Sequence, residues 1–421
     1  MPDTDTNHAP VVDGIDLTDP AAFAKGIPHA AFTTMREADG LSWVPANDEF
    51  DGFWNVTRHA DVVTVSRDTE TYSSAVGHIQ MYDIDEDALG ARASMIDMDP
   101  PIHTRLRRLV SAAFTPRHVQ SYQEDIRTRV NRALDDLEAA GGGEWMDLVA
   151  KPIPIGVICD ILGVPQEDGE YMIELSDHLV AGTSSEPLSA DAYGNTTELR
   201  LLPFGSPAAH GVNEYARDLA DRRRGDPGDD LVSKLLAAEV DGEKLTEAEF
   251  SRFFQLMIFA GNETTRSSMG HLALNMAEFP DEFDRVRADA SLLPTVTEEV
   301  IRYSSSILYF RRTTTCDCEL NGTKIAAGEK VVMWYAAANF DPEVFDEPQR
   351  FDAGRPTPPP NVAFGGGGAH FCLGASLARL EIAILIEELI RRDLRIEVVG
   401  EPVYVDSNFV NGLESVPVRV L

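Results

Sequence analysis

Residues 364–374 read FGGGGAHFCLG, and residues 375–390 behind them, ASLARLEIAILIEELI, carry a helical period. Together they place Cys372 in a glycine-dense loop just ahead of a helix expected to begin near Leu373. A helix N-terminus turns unpaired amide N–H groups and the positive end of its dipole outward. That field stabilises a thiolate, so the thiol pKa is expected to fall and the sulfur to become a good metal ligand. Four consecutive glycines let the backbone pass close to something flat and bulky that side chains would block. His370, two residues before the cysteine, is placed to hold an anionic group of the same ligand. A glycine loop whose buried cysteine caps a helix is the plain alternative for a lone Cys-Gly pair, but the full string is more specific.

The string resembles the haem-binding loop of the cytochrome P450 superfamily, in which a Cys thiolate is the axial ligand of haem iron. Gly368, His370, Cys372 and Gly374 fit that pattern in register. Phe364 lies one residue further from the cysteine than in most members. This expansion is similar to the branch of bacterial enzymes that oxidise sterol side chains and methyl-branched lipids.

Composition sets the bounds. The chain has 421 residues and is 43% hydrophobic, enough for a large core. No apolar run approaches the ~20 residues that span a bilayer. The polar, acidic start MPDTDTNHAPVVDG has neither a basic n-region nor an apolar h-region, so a soluble cytoplasmic protein is expected. Lys plus Arg total 36 against 70 Asp plus Glu, a formal charge of −34, which argues against nucleic-acid or acidic-membrane binding. The cysteines are Cys159, Cys316, Cys318 and Cys372, too poorly spaced for a disulfide framework. Cys316 and Cys318 share a strand face, which allows a weak metal site but reads better as two incidental strand residues.

Residues 1–45 read as loop-rich, residues 72–97 as a long loop without a clean period, and residues 181–211 as a Gly, Ser and Pro-rich segment. Pro100 and Pro101 lead into an Arg-rich helix expected to stop near Thr115 and Pro116. Residues 246–279 predict one long helix, roughly 50 Å at 1.5 Å per residue. Thr246 to Glu249 is a capping-box pattern and Pro280 marks the end. Its centre, FAGNETTR, sets small Ala260 and Gly261 beside polar Glu263 and Thr264; Gly261 lowers helix stability by about 1 kcal/mol relative to Ala. Glu299 and Arg302 lie three apart on one helix face. After Tyr303 the period changes to two, with hairpin signals at Asn321-Gly322 and again at Asn411-Gly412.

The resemblance implies one cytochrome P450 domain over residues 1–421, mainly α-helical with a smaller β region. A b-type haem would lie between the long helix and the Cys372 loop, bordered by Phe364 and Gly374. FAGNETT resembles the family's signature in that helix, where Ala260 and Gly261 leave room for dioxygen. Glu263 and Thr264 would deliver the two protons that reductive dioxygen cleavage consumes. His103, Arg107, Arg312 and His370 would hold the haem propionates. Glu299, Arg302 and Arg355 would form a buried structural triad. Ile79, Ile307, Leu308, Phe409 and Val410 would line the substrate pocket, with residues 181–211 as its lid. The implied reaction is O2-dependent hydroxylation of a hydrophobic molecule: a sterol side chain, a methyl-branched lipid or a terpenoid. Electrons would come from NAD(P)H through a separate ferredoxin and its reductase, docking near Arg105, Arg108 and Arg117. A peroxide-driven haem-thiolate oxygenase and a non-oxygenating ligand-binding or sensor protein are the alternatives.

Overall fold

The computed structural model describes residues 15–46, 51–83, 94–181, 207–239 and 242–421. In chain order the helices that build the site are α1 (His59–Arg67), α2 (Ile102–Val110), α3 (Gln123–Ala140), α4 (Pro152–Leu162), α5 (Gly169–Ala181), α6 (Pro207–Gly225), α7 (Glu247–Glu278), α8 (Leu293–Ser304) and α9 (Ala375–Arg391).

Helix α7 is the axis. Its start is the predicted capping box: Glu249 N–H donates to Thr246 Oγ1 at 3.2 Å and Thr246 N–H to Glu249 Oε2 at 2.9 Å. Phe279 caps its end and Pro280 opens the next helix. The 32 residues run roughly 48 Å. Phe250, Phe253, Leu256, Ile258 and Phe259 bury faces all round it, as a helix threaded through a core requires. Helices α4, α5, α6 and α8 pack against it. Gly261 allows one of these approaches: a Cβ there would lie 2.4 Å from Ile158 Cδ1 on α4.

The main sheet is ordered β1-β2-β8-β5-β3, with β1 (Ser42–Val44), β2 (Phe53–Val56), β3 (Tyr72–Ser73), β5 (Tyr309–Thr314) and β8 (Lys330–Trp334). Its pairings are antiparallel except β2 with β8. Strand β4 (Gly142–Glu144) joins β12 (Pro417–Val420) and β9 (Ile396–Val398) in a smaller sheet. The predicted Asn-Gly hairpin joins β6 (Cys318–Leu320) to β7 (Thr323–Ile325). Asn321 and Gly322 both take positive φ, 48° and 74°, as a type I′ turn demands.

The buried triad forms. Glu299 accepts from Arg302 Nε and Nη2, each at 2.8 Å, from Arg355 Nε at 2.9 Å and from Asp352 N–H at 2.9 Å. Arg302 Nη1 also donates to the carbonyls of Asn339 and Pro348, and Arg355 Nη1 to that of Asp346. Two guanidinium groups therefore stitch the irregular chain ahead of the cysteine loop to α8.

Three expectations change. Residues 1–45 contain a helix, His29–Glu37, and the whole of β1. The Arg-rich helix ends at Val110 and continues as a 3-10 turn, Ser111–Phe114, before Pro116. The Asn411-Gly412 signal does not make a two-residue turn: β10 (Val403–Tyr404) and β11 (Leu413–Ser415) pair across a wider loop. Tertiary bonds hold Asn411 there instead, its side chain donating to Ser304 O at 2.6 Å and its N–H to Ser306 O at 2.9 Å. Most of the expected lid falls outside the described residues, as does part of the 72–97 loop.

Candidate functional site

A cavity opens between α7 and the cysteine loop, with about 210 Å³ of room for the centres of water-sized molecules. One wall is α7, contributing Phe253, Met257, Ala260, Gly261, Thr264 and Ser268. These positions recur at three- and four-residue steps, so one helix face supplies them all. Opposite stand Phe364, Gly365, Phe371, Cys372 and Gly374, followed by the first turns of α9.

Cys372 N–H donates to Phe364 O at 3.0 Å, which closes the loop on itself. The thiol faces the cavity. The residue is exposed to the cavity, but the protein packed around it desolvates the thiol and pushes its pKa up, against the expectation from the helix dipole alone. The N–H groups of Gly374 and Ala375 and the charges of Arg107 and Arg379 pull the other way, and desolvation wins. The dipole effect is present but outweighed. A bound metal cation would reverse that balance, because a coordinating thiol loses its proton outright.

The glycines divide the labour differently from the expectation. Gly365 and Gly374 line the cavity. Gly366 and Gly368 instead press on α1, where Cβ atoms would meet Val63 Cα at 2.8 Å and Ser66 O at 2.7 Å. The run seats the loop against a neighbouring helix as much as it opens space for a ligand.

His103, Arg107 and His370 line one end of the cavity. The two imidazole rings lie 4.2 Å apart, and Arg107 Nη2 donates to Phe371 O at 2.6 Å. Arg312 is buried beside them rather than on the cavity wall, its Nη1 donating to Arg311 O at 2.7 Å. Burial, then the charges of Arg312, His103 and Arg107, hold His370 down at about 2. Burial and Arg107 hold His103 at about 4. His103 Nδ1 is buried without a hydrogen-bond partner among the described residues. Asp99, the acid acting on His103, is already engaged by Ser73 Oγ and Ser74 N–H. The cluster is thus short of negative charge, which suits the carboxylates of a haem. The apolar walls and the inward thiol fit its ring and iron.

Thr264 lines the cavity and its Oγ1 donates to Ala260 O at 3.0 Å. Glu263 does not line it. Its carboxylate is buried beside Arg266, with Arg266 Nε at 2.6 Å from Oε2, and Oε1 points at the Gly412 loop. Glu263 sits on the flank of α7 where Arg266, three residues on, and the Gly412 loop meet it. Of the expected pocket residues, Ile79, Ile307 and Phe409 line the cavity. Leu308 and Val410 are buried behind them, tied to the same loop by Leu308 N–H to Phe409 O and by the Ile307–Val410 bridge.

The lining also holds Met95, Ile96, Ser306, Tyr335 and Glu381, which the sequence reading did not single out. The step pattern 253, 257, 260, 264, 268 was available as a signal for the α7 face. On the outer surface Arg108 and Arg117 are exposed, while Arg105 is engaged by Glu249 and, at 3.7 Å, by Glu243. Among the described residues no cluster of metal-binding side chains occurs at Cys316 and Cys318, and no helix is long and apolar enough to cross a membrane.

Comparison with known proteins agrees with this geometry. The family model for Cytochrome P450 matches residues 208–399. A methyl-branched lipid omega-hydroxylase of Mycobacterium tuberculosis is 38% identical over 397 residues, 92% of this chain and 90% of its own. A steroid C26-monooxygenase of Mycolicibacterium smegmatis is 34% identical over 408 residues, 95% of this chain and 92% of its own. Among solved structures, a Mycobacterium marinum cytochrome P450 in complex with pseudoionone superposes with a TM-score of 0.87 at 38% identity, covering 98% of this chain and 99% of that one. Fold, cysteine loop and full-length relatives converge: the chain belongs to the cytochrome P450 family, as an oxidoreductase of the monooxygenase type.

Proposed function

We propose that the protein hydroxylates the terminal methyl of a branched, largely hydrophobic substrate, such as a methyl-branched lipid, a sterol side chain or a terpenoid. The observation that carries this reading is the cavity wall. Phe253, Met257, Ile79, Ile307, Phe310 and Phe409 form an apolar chamber that also contains Thr264 and Cys372. Burying apolar surface there is worth roughly 25 cal/mol per Å², enough to hold a hydrocarbon chain without an ionic anchor. The lipid and steroid oxidations named for the relatives support the same class.

In this proposal the Cys372 thiolate would hold the iron of a b-type haem, and His103, Arg107, Arg312 and His370 would hold its propionates. The haem supplies dioxygen activation when bound. The apolar walls orient the substrate chain and exclude bulk water, which limits loss of reactive oxygen species. Thr264 presents a hydroxyl able to donate and accept a hydrogen bond beside Ala260 and Gly261. Electrons come from NAD(P)H by way of a ferredoxin and its reductase, with the exposed Arg108 and Arg117 as docking cations.

Optical titration with branched-chain alcohols, sterols and terpenoids tests the substrate class. A type I spectral shift, followed by product oxidised at the terminal methyl in the presence of ferredoxin, reductase and NADH, is expected. Absence of a shift with all three classes rejects the substrate. Equal turnover with hydrogen peroxide alone rejects the electron route.

A further inference from the structure

Ile79 reaches the cavity from residues 77–83, a run of bends with no helix or strand of its own. With no ladder to place it, such a segment is held by whatever bonds its carbonyls and N–H groups. Arg311 on β5 supplies several of those bonds. Its N–H donates to Ile79 O at 2.7 Å, and its Nη1 donates to Tyr82 O and to Asp83 Oδ1, each at 3.0 Å. Gly77, at φ 85°, lets the guanidinium pass against the chain, since a Cβ there would stand 2.4 Å from Arg311 Nη2. Lys330 on β8 closes the same site. It bonds Asp83 Oδ2 and donates to Asp51 O at 3.1 Å, while Asp51 N–H donates to Asp83 Oδ2 at 2.8 Å. Both cations are buried, and neither lines the cavity. Burial alone would raise the Asp83 carboxyl, but Lys330, the Asp51 N–H and Arg311 outweigh it and hold the group below the usual carboxylate range. Two buried cations on one carboxylate are costly to desolvate and add little stability over apolar packing. What they add is direction, because a rigid fork of donors fixes its acceptors in one arrangement.

We propose that Asp83, gripped by Arg311 and Lys330, is a clasp that sets the position of Ile79 and thereby the fit and residence of a bulky apolar ligand in the cavity. This rests on the reading of the cavity as the substrate chamber. The three are positioning residues, acting through Ile79 without touching the ligand. Asn408 holds the segment independently, its Nδ2 donating to Tyr82 Oη at 2.8 Å and to Thr18 O at 2.7 Å. With that pin in place, releasing Asp83 shifts one part of the wall and leaves the rest. Losing part of one isoleucine's burial against the ligand corresponds to about 10-fold in affinity, carried mainly by faster dissociation.

Imidazole and 4-phenylimidazole, titrated into the ferric holoprotein and read from the Soret shift, are the probes. The first is too small to need the wall, and the second carries a phenyl ring that presses on it. In Asp83→Asn the Kd for 4-phenylimidazole should rise about 10-fold, with stopped-flow dissociation quickened to match. The Kd for imidazole should hardly move, and Asp83→Glu, which keeps the charge, should recover part of the loss. Deuterium exchange of the amides in residues 77–83 should quicken in Asp83→Asn at unchanged haem content. In an Ile79→Ala background the same substitution should add little, because the clasp works through that side chain. An unchanged ratio of the two affinities in Asp83→Asn, or an undiminished loss in the Ile79→Ala background, overturns the proposal. If Asp83→Asn does not fold, Lys330→Gln, which leaves Arg311 on the carboxylate, is held to the same criteria. Failure of the substrate-chamber reading is distinct: lipids, sterols and terpenoids would then give no type I shift, while the two azoles still report the wall.

Discussion

Replacing Gly261 by Ala adds one methyl in the centre of the longest helix, and two opposed effects set the outcome. In an unconstrained helix the change stabilises by about 1 kcal/mol. Here the new Cβ would stand 2.4 Å from Ile158 Cδ1 and 2.7 Å from Ile158 Cγ1. Overpacking of this kind costs about 1–3 kcal/mol, so Gly261→Ala is expected to destabilise by about 1 kcal/mol. In an Ile158→Ala background the obstruction is gone. That variant alone loses about 2–5 kcal/mol to its cavity, and Gly261→Ala should then regain about 1–2 kcal/mol from helix propensity and from burying about one methyl. The double-mutant cycle should show coupling of about 2–3 kcal/mol, within the range of directly touching residues. Urea unfolding followed by far-ultraviolet circular dichroism, on samples of equal haem content, reads it out. If Gly261→Ala stabilises the wild type by the full helix-propensity amount, close packing of α4 is not why this position is glycine.

Glu299→Gln leaves two buried guanidinium groups without their shared carboxylate. Removing one member of a buried ion cluster costs about 3–5 kcal/mol, so the urea midpoint should drop by the corresponding amount and haem retention should weaken. A loss under about 1 kcal/mol would make the triad no more than a surface-type contact. His271, fully enclosed and held at about 4 chiefly by burial, cannot take up the proton that its unfolded form binds below 6.5. Its contribution to stability is therefore present above the unfolded value and lost as pH falls from about 6.5 toward about 4. His271→Gln keeps an N–H for the Asn411 carbonyl, now 3.0 Å from Nε2, and should flatten the pH dependence of the unfolding midpoint over that window. An unchanged slope would refute the assignment.

Local signals with a direct backbone consequence were legible in the sequence. The capping box at Thr246, the stop at Pro280 and the Asn321-Gly322 turn depend on residues within one turn of each other, and the structure forms all three. The loop around Cys372 was legible for the same reason. What the sequence left obscure depends on partners far along the chain. Glu263 looked like a cavity acid until Arg266 and the Gly412 loop claimed its side of the helix. Arg105 looked free until Glu249, a member of the capping box, reached it. Leu308 and Val410 were expected on the cavity wall with their neighbours Ile307 and Phe409, and tertiary packing buries them behind it. Glu381 was overlooked because one acid in LARLEIAILI reads as an ordinary helix residue. Only burial, with no partner for either oxygen among the described residues, sets it apart.

The central claim is that Cys372 presents a thiolate to haem iron in the cavity below α7. The reduced, carbon monoxide-bound difference spectrum of the purified holoprotein tests it most directly. A strongly red-shifted Soret band in the wild type, lost in Cys372→Ala, is the predicted result. A haem band at the position of histidine ligation, or a red-shifted band that survives Cys372→Ala, would contradict it.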